Sequence, residues 1–307
     1  MRAAIVRRNF IAACAAAIVA LLSFSCAAPG SHEGRRNAPL RGLYVPNRQA
    51  NNPAFIRALV ERGKPLGVNM LVLDVHPFMV LRPRISAEVV EYLKKEKIFI
   101  TARVVCFQDG LGRLPVPEDY LDRLFTVVKA AAGAGFGEIQ LDYIRFQDGG
   151  PAYSLAAKYG FVATLLRRAR EITDAHGMIL SADVFGRVVY NRNDIIGQQM
   201  ELFARHVGVI YPMLYPSHFT GDRARMADPG ETIREGIMKG MARVRGTGVL
   251  IQPYIQAFPY NIRWARVTLD RYVEMQVIAA ESTGARGWVA WNAKGDYESV
   301  FRALERL

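Results

Sequence analysis

The chain has 307 residues, 51% of them hydrophobic, and only three cysteines. That bulk supports a large core and excludes a disulfide-stapled fold, since Cys14 and Cys26 lie close to the N-terminus and Cys106 stands alone in the rest. The net charge is +12, but the basic residues are scattered at helical spacing, as on solvated helix faces, with mild attraction to an anionic membrane or wall polymer as the other reading. Nucleic-acid recognition would need a clustered stripe or a motif.

Residues 1–26 read as a signal peptide. Arg2, Arg7 and Arg8 precede an apolar run from Phe10 to Phe24, too short to span a bilayer comfortably. The run ends in "LLSFSC", where Ser25 and Cys26 form a loose lipobox. Lipid on Cys26 would anchor an exported protein to a bacterial membrane; plain cleavage near Ala27 or Ala28 is the alternative. Subtracting the three arginines from +12 leaves about +9. Residues 27–39, polar and rich in Gly and Pro, read as a flexible tether, and 40–307 as one domain.

A regular alternation begins at residue 40. Strand "RGLYVP" (41–46) precedes a helix over 53–67, with Pro53 near its start and Gly67 at its end. The continuous apolar run "NMLVLDVH" (69–76) is a strand buried on both faces. Helix 86–97, strand 98–107, helix 117–135 and strand 137–146 follow. Then come helix 153–175, strand 178–186, helix 193–205, strand 207–216, helix 229–243, strand 248–258, helix 268–283 and strand 286–292. The helix "YESVFRALERL" closes the chain. Eight strands each followed by a helix predict an α/β fold, a (β/α)8 TIM barrel. No G-x-G-x-x-G turn follows the first strand, as a doubly wound nucleotide-binding sheet would show.

Barrel sites form where strands end. Polar residues gather there: Asp74 and His76, Asp142 and Arg145, Asp183, then Tyr211, Tyr215 and His218, Gln252 and Gln256, and Trp291 with Asn292. Alternation puts Gln140, Asp142 and Ile144 on one face and Ser181, Asp183 and Phe185 on another. Asp142 and Asp183 on adjacent strands would give the paired carboxylates of glycoside hydrolysis, one attacking or activating water while the other protonates the leaving oxygen. The bland reading of each is a loop cap or an arginine partner. Asp74 is either a third acid or the partner of an inward Arg103. His76, next to Pro77, suits loop packing or the cleft, and Tyr211 suits core or cleft. The steps Tyr211-Pro212 and Tyr215-Pro216 hold their tyrosines extended and present His218 for stacking on sugar rings. Arg145, of opposite parity to Asp142, and Trp288 read as structural. There is no H-x-H, H-E-x-x-H or G-x-S-x-G, so no metal is assigned, although Asp74, Asp142 and Asp183 could together hold one. No cofactor and no obligate protein partner are expected.

"LDYIRF", "SADVFG", "IYPMLYPSHF", "QPYIQAF" and "GWVAWNA" together resemble the bacterial putative glycosyl hydrolase domain family, over about residues 40–300. The resemblance implies a barrel and an exported carbohydrate-active protein. Related barrel α-glycosidases carry a nucleophilic aspartate at the end of the fourth strand, which implies Asp142 as nucleophile and Asp183 as acid/base. Asp74, His76, Tyr211, Tyr215, His218, Gln252, Gln256, Trp291 and Asn292 would bind a polysaccharide or cell-envelope glycan. The chain departs from the family at Gln147, where proline is common, and at Tyr254, where tryptophan is. A non-catalytic glycan-binding barrel serving envelope organisation is the alternative.

Overall fold

The computed structural model describes residues 39–150 and 152–307. The signal segment, Cys26 and nearly all of the tether lie outside the described residues. Nine strand segments form one closed parallel sheet: β1 Leu40–Val45, β2 Met70–Asp74, β3 Phe99–Val105, β4 Glu138–Asp142, β5 Ile179–Phe185, β6 Val209–Met213, β7 Leu250–Ile251, β8 Tyr254–Gln256 and β9 Gly287–Trp291. Each pairs with its neighbour, β1 pairs with β9, and β5 pairs with β6, so the sheet closes on itself. β7 and β8 are one stave of the barrel interrupted at Gln252-Pro253, because proline cannot donate to a sheet ladder. The barrel therefore has the eight staves expected.

Local chemistry starts and stops the helices. Asn52 accepts from the backbone N–H groups of Ala54 and Phe55 and, with Pro53 in the first turn, opens α1 Pro53–Gly63. Ser86, Ser154, Asp228 and Thr268 cap the helices that follow them in the same way. The helix expected over 193–205 is reduced to one turn, Met200–Phe203. Residues 186–199 instead form a long connection at the barrel mouth, pinned by the buried side chains of Asp194 and Gln198.

The apolar residues sort into two clusters. The larger lies between the barrel and its helices, around Leu43, Leu71, Val104, Leu141 and Ala182. The smaller fills the barrel itself and includes Met70, Val72, Phe99, Ile179, Val209 and Val289. Alternate residues of each strand thus serve opposite cores, which is why the strands read as continuous apolar runs. Among the described residues no helix is long and apolar enough to cross a membrane.

The seam between β1 and β9 depends on Gly287. Its φ is +114°, and a Cβ there would lie 1.9 Å from the Leu40 carbonyl oxygen. Gly287→Ala should lower stability by more than ~2 kcal/mol in urea unfolding. Gly284→Ala, at φ +75° with open space around it, should cost only about 1 kcal/mol.

Candidate active site

Register brings the acids together. In the parallel ladder Asp74 of β2 lies beside Arg103 of β3, and Val105 lies beside Asp142. Leu141 pairs with Ala182, so the next step sets Asp142 beside Asp183. Residues level with one another on adjacent strands point the same way, and here all four side chains face the barrel interior at its C-terminal end.

Arg103 is the hub. Its Nη1 donates to Asp74 Oδ1 at 2.6 Å. Its Nε and Nη2 donate to Asp142 Oδ2 at 3.1 and 2.5 Å. Tyr44 donates its hydroxyl to the other Asp74 oxygen at 2.6 Å, and the Arg103 guanidinium lies over the Tyr44 ring. Burial opposes the charge on Arg103, but Asp74 and then Asp142 outweigh it and hold its pKa well above the usual arginine value. Of the two readings open for Asp74, the arginine partner is the one found. Asp142 also meets the arginine-partner description, and it sits beside a second acid as well.

Asp183 is different. It is 1% exposed, and Arg103 Nε approaches its Oδ2 only to 3.8 Å. As a carboxylate it has no donor for either oxygen. Burial, and then the negative charge of Asp142, push its pKa well above the ordinary carboxylate range. Asp142 is its neighbour on the adjacent strand. Both carboxyl oxygens flank the same Nε, so they are no more than ~7 Å apart, close enough for a two-carboxylate mechanism.

Tyr143 follows Asp142 with φ +55°, a left-handed conformation that tyrosine seldom adopts. Its N–H donates to Asp142 Oδ1 at 2.5 Å. The left-handed residue breaks the alternation of the strand. Tyr143 therefore lines the cleft, whereas Ile144 turns into the outer core and does not share the inward face of Asp142 as alternation predicted. Arg145 is structural as expected: it lies over the rings of Tyr143 and Phe185 and donates to the backbone of Gln108 and Phe146.

Above the acids opens a cleft of about 320 Å3, lined by Arg103, Asp142, Asp183 and a set of aromatic rings. Trp291 stacks with Tyr44 at 5.9 Å and meets the tilted ring of Tyr215 at 5.7 Å. His218 packs against Tyr215, Phe258 and Tyr260, and this withdrawal from water lowers its pKa. Burial, then Asp183 and Asp142, raise the Tyr215 pKa well above its usual value, so the phenol stays protonated. Phe185, Gly186, Arg187, Met213 and Phe219 complete the wall. Gly186 is required there: a Cβ would meet the Met213 carbonyl oxygen at 2.5 Å. The floor is Tyr254, whose hydroxyl donates to Gln140 Oε1 at 2.8 Å.

Several expected cleft residues serve elsewhere. His76 is buried, accepts from Val105 N–H through Nε2 at 3.0 Å, and turns Nδ1 to the carbonyls of Pro77 and Val80. Tyr211 lies deeper in the barrel and donates to Glu138 Oε1 at 2.7 Å. Gln252 donates to the carbonyl of Leu40, at the seam of the barrel. Gln256 accepts from Ser217 N–H and donates to the carbonyls of Phe258 and Tyr260, strapping two mouth loops together. Asn292 donates to the Ala257 carbonyl. In four of these cases a buried amide or imidazole satisfies backbone groups, in Tyr211 the phenol meets a buried carboxylate, and none of the five lines the cleft. The signals for the missed residues were weak. Arg187 and Phe219 sit in irregular connections, and Tyr143 required an unusual φ.

A cation is already present among the three acids, because Arg103 occupies the position that a metal held by Asp74, Asp142 and Asp183 would need. Among the described residues, no group of three or more histidine, cysteine or acidic side chains is placed to bind a metal.

The family model described as "Putative glycosyl hydrolase domain" matches residues 115–297, which contain Asp142, Asp183 and the aromatic wall but not Arg103. Among solved structures, the fold is similar to the glycoside hydrolase domain of PgaB (BpsB) from Bordetella bronchiseptica. The TM-score is 0.64 and the identity 14%, over 87% of this chain and 98% of that one. It is also similar to a chitinase from Chromobacterium violaceum, with TM-score 0.59 and 13% identity over 88% of this chain and 98% of that one. An endo-beta-1,4-mannanase from Thermotoga petrophila gives TM-score 0.61 and 10% identity, over 88% and 76%. At these identities the likeness concerns the fold. No curated protein sequence matches the chain.

The raised pKa of Asp183 has a consequence for stability. Between the unfolded value of ~3.9 and the folded one, the native state holds a proton that the unfolded chain has lost, so this group makes stability fall as pH rises. Asp183→Asn, which mimics the neutral acid, should raise the melting temperature at pH 7, and the gain should vanish below about pH 4. Thermal melts across pH test this; an equal effect at both pH values would refute it. Arg103→Met should cost about 3–5 kcal/mol, since it strands two buried carboxylates.

Proposed function

The chain belongs to the family of putative glycosyl hydrolase domains, and from that premise we propose that it hydrolyses a polysaccharide or cell-envelope glycan with Asp142 and Asp183 as the catalytic pair. The observation that carries this reading is the contrast between two neighbouring carboxyl groups at the base of an aromatic cleft. Asp142 is bound by Arg103, whereas Asp183 lacks any donor and has its pKa raised. That contrast is the division of labour between a carboxylate and a general acid. The solved structures named as a chitinase and an endo-beta-1,4-mannanase support a polysaccharide as the substrate class.

In the proposed reaction a sugar ring stacks on Trp291 and Tyr215. Asp183 gives its proton to the glycosidic oxygen as that bond breaks, and an Asp142 oxygen attacks the anomeric carbon to form an ester. Ionised Asp183 then takes a proton from water, whose oxygen displaces Asp142 and restores both groups. Attack by Asp142 itself makes this a retaining reaction. Tyr143 N–H and Arg103 hold Asp142 in place from two sides. His218, Phe185 and Phe219 shape the entrance.

The rival reading, a glycan-binding barrel without turnover, rests on the Arg103–Asp142 ion pair, since an acid already bound to arginine can be purely structural. The substitutions decide. Asp183→Asn should reduce kcat by roughly 10²–10⁴-fold with glycan binding retained, and any residual activity should lose the alkaline decline that deprotonation of Asp183 gives the wild type. Asp142→Asn should abolish turnover. If the wild type binds glycans but cleaves none in a broad panel, the hydrolase reading fails.

Export and anchoring through lipid on Cys26 belong to the same proposal and rest on the basic and apolar pattern of residues 1–26. Cys26→Ala should move the protein from the membrane fraction to the soluble one. Retention of the variant in membranes would refute a lipid anchor at this position.

A further inference from the structure

Charge pairing is uneven over the surface. On the long outer helices, arginines are matched by carboxylates, as in Arg57–Glu88, Arg123–Asp119, Arg167–Glu171 and Arg170–Asp174, and at the mouth Arg187 is paired with Asp148 and Asp194. The connections that leave the C-terminal ends of the strands differ. Arg82 and Arg84 follow β2, Arg113 follows β3, Arg192 follows β5, Arg223 follows β6 and Arg263 follows β8. All six are exposed, and among the described residues none is paired with a carboxylate. The opposite end of the barrel also bears exposed cations, such as Arg205 and Arg245, and the pockets they line contain no acid.

Two of the six are tied to aromatic surface beside the cleft. Arg223 and Arg263 both lie over the ring of the half-buried Trp264, at 5.2 and 5.5 Å. Trp264 belongs to the turn Ile262–Ala265, which packs on the short helix Arg223–Ala227. In the same connection Tyr260 is 55% exposed and its ring meets His218 at 5.9 Å. His218 lines the cleft and contacts Tyr215, which contacts Trp291. A run of rings therefore leads out of the cleft from Trp291 through Tyr215 and His218 to exposed Tyr260, in the same connection as Trp264 and its two unpaired guanidinium groups.

We propose that the glycan is polyanionic and that its chain leaves the cleft over Tyr260 toward Arg223 and Arg263, which receive its anionic groups. The proposal rests on the glycan reading of the cleft and adds the charge class of the substrate. Rings stack on the apolar faces of sugars, and arginine forks meet carboxylate, sulfate or phosphate oxygens in two-point contacts. The other unpaired arginines of the mouth also draw a polyanion toward the site, against the exposed acids Asp109, Asp148 and Asp296.

Matched polymers test the idea. The full chain carrying Asp183→Asn is titrated with dextran, carboxymethyl dextran and dextran sulfate, which share a backbone and differ in charge and in the anionic group. The double substitution Arg223→Gln with Arg263→Gln should weaken binding to one or both charged polymers by roughly tenfold, and Tyr260→Ala should weaken it too. Arg205→Gln with Arg245→Gln removes the same charge at the far end and should change binding less than about twofold. Equal losses from both pairs would mean diffuse charge attraction and would overturn the proposal, as would no loss from the mouth pair. Vesicles containing phosphatidylglycerol form a further arm: if the mouth pair governs vesicle binding and not polymer binding, the face meets lipid and the proposal fails. Cleavage is scored separately. Mouth-dependent polymer binding without cleavage of any glycan refutes the hydrolase reading alone. Cleavage of a neutral glycan with a silent mouth pair refutes this inference alone.

Discussion

One buried guanidinium faces three carboxylates at the mouth of the barrel, and the site is organised by that shortage of positive charge. Arg103 satisfies Asp74 and Asp142 and reaches Asp183 only to 3.8 Å. The third acid has no donor of its own, and burial with the charge of Asp142 favours its protonated form. The same contacts tie staves together. From Tyr44 on β1 through Asp74, Arg103 and Asp142 to Asp183 on β5, a continuous polar chain crosses five strands. The chemistry proposed for the site and the rigidity of half the barrel rest on one side chain.

Polar residues beyond that chain divide by depth. At the lowest level Glu138 accepts from Ser181 and Tyr211, and Gln140 accepts from Tyr254, which closes the floor. At the rim Gln256, Asn292 and His76 are spent on backbone groups where strands turn into loops. Below the cleft Gln140 Nε2 and Thr101 Oγ1 are left without a partner, but the cleft itself is lined by Asp142, Asp183 and Arg103. Most polar groups of the packed interior are paired, as the cost of an unsatisfied buried donor or acceptor requires.

Much of this was legible in the sequence, and the exceptions have local causes. Asp142 and Asp183 were found by alternation because β4 and β5 are regular up to those residues. Tyr143 was missed because its left-handed backbone reverses the side predicted by alternation. Gln252, Gln256, Asn292 and His76 were assigned to the cleft because a polar residue at a strand end looks the same in sequence whether it faces a ligand or a carbonyl. Arg187 and Phe219 were missed because the connections that carry them have no period to read.

The sequence by itself determined the eight-stave barrel, the end of it that carries the site, and the two acids at its centre. Those follow from the spacing of apolar residues along short stretches of chain, a local property that secondary structure repeats faithfully. Only the tertiary structure decided which acid keeps the proton, which aromatic rings form a wall, and which strand-end amides are already used. Those depend on distances between groups far apart in the chain, such as Arg103 to Asp142 and Asp183, or Trp291 to Tyr215. Such distances are set by barrel closure, and no local pattern encodes them.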